Sequence, residues 1–164
     1  GLDIDTSSVV IPPHQEGFDR IIVIPRGLTV GEVVRAMSQH FLTYYLEDVD
    51  YNERSPNSGS YAIRVQERIK ADDAIRNISA NQVKTTGLTT MTLLEHLVQE
   101  LKYWSETGKH LDAIRGTLCS GSRYRDGRIP AVDWGGGWFG RRLYIRHASP
   151  DLVSDDLSAR AVVR

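Results

Sequence analysis

The run Thr92-Leu93-Leu94-Glu95 constrains this chain more than any other. It is a capping box, in which the Thr hydroxyl and the Glu carboxylate satisfy backbone donors that a first helical turn leaves open. Leu94, Leu97, Val98, Leu101 and Trp104 then form one apolar stripe down to Gly108, a C-cap residue. His96, Glu100, Lys102 and Glu106 fall on the wetter faces. A second capping box, Thr29-Val30-Gly31-Glu32, opens a helix in which Val30, Val33, Val34, Met37 and Phe41 keep helical spacing to about His40 or Phe41. Ala71 to Lys84 reads as a short helix with a ragged end.

The remaining apolar segments have strand character. Phe18 to Pro25 is β-branched and bounded by proline, which predicts a strand buried on both faces, central or beside the closing strand. Ser60 to Glu67 alternates as a second strand. Ile129 to Trp134, Leu143 to His147 and Leu157 to Val163 add three more, with Gly135-Gly136-Gly137 supplying the positive φ of a tight reversal. Ser120 to Arg128 and Ala148 to Asp156 read as surface loops, and Leu42 to Gly59 as a polar connection. Pro12-Pro13 forbids a helix in residues 1–17, which read as an extended arm. The order predicts an α+β fold: two main helices flank a small, mostly antiparallel sheet whose last strand pairs with its first.

The chain has 164 residues and a mass of 18.4 kDa. That predicts one domain over 18–164, large enough to bury about two-thirds of its extended surface. The net charge of −1 exerts no bulk pull toward nucleic acid or a membrane surface. A single cysteine, Cys119, excludes an internal disulfide framework and a thiol-based zinc site. No secretory or membrane-spanning run stands out, so a soluble protein is expected. Asp48, Asp50, Asn52 and Glu53 offer oxygen ligands for calcium, but without the glycine turn and final glutamate of an EF-hand they read as a solvated acidic loop. His110 and Asp112 are close enough in sequence for an acid-base pair, yet no nucleophile is placed to use it. No metal or cofactor is expected.

The last third has a different residue usage. From His110 onward there is no Lys, Glu, Gln, Met or Asn, whereas the first 109 residues hold 4 Lys, 8 Glu, 5 Gln, 2 Met and 4 Asn. The cations there are nine Arg and the acids are all Asp. Six of the Arg (Arg123, Arg125, Arg128, Arg141, Arg142, Arg146) suggest phosphate contacts, but Asp126, Asp133 and Asp151 are interspersed, and nucleic acid ranks low as a partner.

The segment from Thr117-Leu118-Cys119-Ser120-Gly121-Ser122-Arg123-Tyr124 through Trp134, with Leu143 to Pro150 and Asp156 to Val162, resembles the C-terminal end of the variable proteins of diversity-generating retroelements. Gly59-Ser60-Tyr61-Ala62-Ile63 and the run Tyr103 to Asp112 extend the likeness over most of the chain from Phe18. The resemblance implies a C-type lectin fold and a variable region of about 117–163. It also implies adenine-directed diversification of template Asn codons, which does not produce Lys, Glu, Gln, Met or Trp. Implied scaffold positions are Cys119, Gly121, Ser122, Arg123, Asp126, Gly127, Pro130, Val132, Trp134, Leu143, Ile145, Pro150, Leu157, Ala159 and Arg160. Implied ligand-facing positions are Tyr124, Arg128, Ala131, Asp133, Phe139, Tyr144, Arg146, Ala148, Ser149, Leu152, Val153, Ser154 and Asp156.

The function so implied is non-catalytic recognition of a protein or other macromolecule. Exposed Tyr, Phe and Arg supply the rigid, amphipathic contacts of binding hot spots. Two alternatives stand beside it. One is an enzyme of the related formylglycine-generating type, for which one Cys119 is a poor basis. The other is a carbohydrate-binding lectin, for which the tail has no Glu or Asn to build a calcium cage.

Overall fold

The structure is a computed structural model that describes residues 9–67, 72, 75–137 and 140–164. Its elements, in chain order, are β1 (Arg20–Ile24), α1 (Val30–Met37), β2 (Thr43–Tyr44), β3 (Tyr51–Asn52), β4 (Tyr61–Val65), α2 (Ala80–Thr85), α3 (Leu93–Thr107), β5 (Gly116–Leu118), β6 (Ser122–Arg123), β7 (Ile129–Gly137), β8 (Gly140–Ala148), β9 (Leu157–Ala159) and β10 (Val162–Val163). The fold is mixed α+β, and none of its sheets closes into a barrel. No helix among the described residues is long and apolar enough to cross a membrane.

The strands form a three-stranded sheet ordered β1-β4-β10, a five-stranded sheet ordered β2-β8-β7-β5-β9, and the pair β3-β6. One apolar core joins the two larger sheets through the helices. Ile22, Ile24, Ile63, Val65 and Val162 come from the first sheet, and Val132, Leu143 and Ile145 from the second. Val30, Val33, Met37, Leu93, Leu94 and Leu97 of α1 and α3 complete it. The capping boxes at Thr29 and Thr92 both form, and Gly108 ends α3 with φ 67°, the left-handed conformation a glycine cap supplies.

Several elements differ from expectation. β10 pairs with β4, so β4 is central and β1 lies at an edge. Only Ile22 and Ile24 of β1 are buried, because an edge strand beside the helices covers one face. The stretch expected as a connecting loop, Leu42 to Gly59, contributes β2 and β3. The helix expected over Ala71 to Lys84 is α2 at its C-terminal end; residues 71, 73 and 74 lie outside the described set. Gly135, Gly136 and Gly137 continue β7, and the positive φ, 89°, belongs to Gly140.

The wet-face assignment on α3 also fails for its first half, where His96 and Glu100 are buried. Buried charge persists only when it is paired. Glu100 accepts from the Leu111 amide at 2.8 Å and lies 2.7 Å from His110 Nδ1. His96 Nε2 stands 3.0 Å from Asp112, whose other oxygen accepts from Arg160 at 2.6 Å. His110 and Asp112 therefore have separate partners and do not form an acid-base couple.

Candidate ligand-binding face

β7 and β8 form the longest ladder, with Ala131 opposite Arg146, Asp133 opposite Tyr144 and Gly135 opposite Arg142. Directly opposed residues share a face, and successive residues alternate. Val132, Leu143 and Ile145 consequently enter the core, and Trp134 packs against it with its ring 3.8 Å from that of His110 and 5.4 Å from that of Phe41. Asp133, Tyr144 and Arg146 emerge on the other side.

These three side chains touch. The Arg146 guanidinium lies 4.4 Å from the Tyr144 ring centroid and 3.2 Å from Asp133 Oδ1. Gly135 makes room for this arrangement, since a Cβ there would sit 3.0 Å from Tyr144 Cε2 and 3.2 Å from Arg146 Nη2. Partial burial raises the Asp133 carboxyl above its ordinary value; Arg146 opposes that shift and the charge of Asp112 adds to it. The cluster offers an aromatic surface, a hydrogen-bonding cation and a carboxylate with a weakened hold on its charge. Tyr44 extends it, because β2 runs parallel to β8 with Tyr44 beside Tyr144 and their rings 5.7 Å apart.

The other expected ligand-facing positions scatter. Tyr124, Ala131 and Ala148 are 4%, 3% and 6% exposed and do not face solvent. Ala131 and Ala148 pack with Leu118 and Leu157, side chains of β5 and β9, the strands that extend the sheet beyond β7. The Tyr124 ring lies tilted against that of His147, with centroids 4.1 Å apart, and burial pushes its phenol up to about 12. The loop Ser120 to Arg128, expected at the surface, is buried over Ser120 to Ser122. Arg128 is exposed and paired with Asp126. Ser149, Leu152, Val153, Ser154 and Asp156 belong to a loop docked on α2, where Asn81 donates to Asp151 and its amide to the Pro150 carbonyl. Phe139 lies outside the described residues.

Other chemistries considered from sequence lose their residues to structural roles. Burial pushes the Cys119 thiol well above its ordinary value, so it is not a ready nucleophile. Asp50 accepts from the Arg125 amide and Asn52 from the Ser122 hydroxyl, which ties the acidic loop to the segment after β5. Among the described residues no group of three His, Cys, Asp or Glu is arranged to hold a metal ion. Arg123 is engaged with the Ser120 and Ser122 carbonyls, and Arg141 with that of Ala113.

No protein-family model, curated protein or solved structure matches the chain.

Tyr44 and Gly135 escaped the sequence reading. Tyr44 stood in a supposed loop, although the aromatic-rich run Phe41-Leu42-Thr43-Tyr44-Tyr45-Leu46 has the composition of a strand.

Proposed function

We propose that this protein is a non-catalytic recognition protein, a variable protein of a diversity-generating retroelement with a C-type lectin fold. Its ligand contacts the face made by Asp133, Tyr144 and Arg146. One observation carries the reading. Within the segment that lacks Lys, Glu, Gln, Met and Asn, core residues Val132, Leu143 and Ile145 alternate with outward Asp133, Tyr144 and Arg146. Such a surface can change its side chains while the core holds the backbone, so little ordering entropy is lost on binding. A half-buried Tyr with an Arg over its ring suits a protein or other macromolecular ligand that offers both apolar and polar contact.

The test is genomic. The DNA beside the coding region is sequenced and searched for a near-copy of the part encoding Thr117 to Val163, with a reverse transcriptase nearby. The expected near-copy differs only where the template has adenine, and the differing codons include those of Asp133, Tyr144 and Arg146. Absence of such a copy in the intact locus overturns the reading.

A further inference from the structure

β2 lies at an open edge of the five-stranded sheet and is apolar on the face that should be polar. Phe41, Thr43 and Tyr45 turn inward, while Leu42, Tyr44 and Leu46 are 55%, 44% and 63% exposed. Edge strands are ordinarily guarded by charge, proline or a covering segment, and Phe41 to Leu46 has no charge and no proline. Two other outer strands have main-chain partners on their far side: the Asp72 amide donates to the Ala159 carbonyl of β9, and the Val162 amide of β10 donates to the Thr89 carbonyl.

The direction of the main-chain groups narrows what fits. The Leu143 amide donates to the Leu42 carbonyl at 2.9 Å. Main-chain groups of successive residues point to opposite sides of an extended strand, so those of Leu42 and Tyr44 face β8 and those of Thr43 and Tyr45 face outward. We propose that β2 pairs antiparallel with β2 of a second copy of this chain about a two-fold axis at Tyr44. Thr43 then exchanges both main-chain hydrogen bonds with Tyr45 of the second copy. On the exposed face Tyr44 meets its own counterpart and Leu42 meets Leu46, in the closer, non-hydrogen-bonded type of pair.

The sequence is self-complementary in this register. Leu42 and Leu46 stand symmetrically about Tyr44, so each meets a leucine of the second copy across the axis. The two-fold axis is perpendicular to the joined sheet, so both Asp133/Tyr144/Arg146 faces open to the same side. The dimer stands on the edge geometry alone. Its use as a bivalent binder rests on the proposed function.

Sedimentation of the full chain through the micromolar range tests the pairing. The wild type is expected at twice 18.4 kDa. Tyr44→Lys, which puts like charges across the axis, and Thr43→Pro, which removes an outward donor, are expected to weaken association roughly tenfold or more. Tyr44→Lys alters an exposed side chain and keeps its thermal unfolding, so it remains informative if Thr43→Pro misfolds. A wild type that sediments as a monomer overturns the proposal, as does a dimer undiminished by Tyr44→Lys.

Discussion

Arg54 holds Glu95 through two hydrogen bonds, Nε to Oε1 and Nη2 to Oε2, both at 2.7 Å. The same carboxylate closes the capping box of α3 on the Thr92 amide at 2.8 Å and accepts from the Tyr61 phenol at 3.0 Å. A helix start, a strand and the segment after β3 thus converge on one buried anion. Removing either partner leaves a desolvated charge, so Glu95→Ala and Arg54→Ala are each expected to cost about 3–5 kcal/mol. Arg54→Lys should recover little of this, because an ammonium cannot reproduce the fork. Urea denaturation of the three variants measures it.

Asp112 predicts an acid limb in the stability profile. Burial disfavours its charge, but Arg160 and His96 outweigh that and hold its pKa below the ordinary 3.8. A carboxylate depressed in the folded state contributes stability that is present above the unfolded pKa and is lost as pH falls toward the folded one. The gap in unfolding free energy between wild type and Asp112→Asn is therefore widest above about pH 4 and narrows below it. An unchanged gap down to acid unfolding would contradict this assignment.

Cys119 should behave as an inert core residue. With its thiol buried and its pKa raised, a thiol-specific reagent added to the native protein is expected to react only as fast as the chain opens. Labelling then accelerates with urea in parallel with loss of structure. Rapid stoichiometric labelling in buffer would show an accessible thiolate.

Three glycines of similar appearance in sequence should respond differently to alanine. At Gly116 the new Cβ would lie 2.7 Å from the Val132 carbonyl oxygen, and at Gly121 2.8 Å from that of Thr90. Backbone cannot yield cheaply, so each substitution is expected to cost about 1–3 kcal/mol. At Gly135 the obstacles are the flexible ends of Tyr144 and Arg146, and Gly135→Ala should stay within about 0.5 kcal/mol of wild type. Thermal melts rank the three.

The division between scaffold and face has a direct energetic test. Tyr144→Ser and Arg146→Ser made together are expected to cost less than about 1 kcal/mol, as surface changes usually do. Trp134→Ala, which removes the ring packed on His110 and Phe41, should cost about 3 kcal/mol. Comparable losses in the two proteins would mean that Tyr144 and Arg146 are structural.

Much of the fold was legible because its signals are local. The capping boxes at Thr29 and Thr92, the cap at Gly108 and the alternation across Val132 to Trp134 and Leu143 to Ile145 all depend on neighbours within a few residues. The site was legible only in part. Alternation placed Asp133, Tyr144 and Arg146 on one face, but it could not show that Leu118 and Leu157 pack against Ala131 and Ala148. Tyr124 and the polar side chains of α3 were misjudged for a related reason: a residue looks exposed until a distant partner covers it.

The amino-acid sequence by itself determined the starts of α1 and α3, the two faces of the long hairpin and the shift in residue usage after His110, because each is set by spacing and composition along the chain. Only the tertiary structure decided that β4 is the central strand of its sheet, that Glu95 meets Arg54, and that Tyr44 comes to rest beside Tyr144. These contacts join residues 37 to 100 positions apart, and local periodicity carries no information on which remote strand or charge completes them.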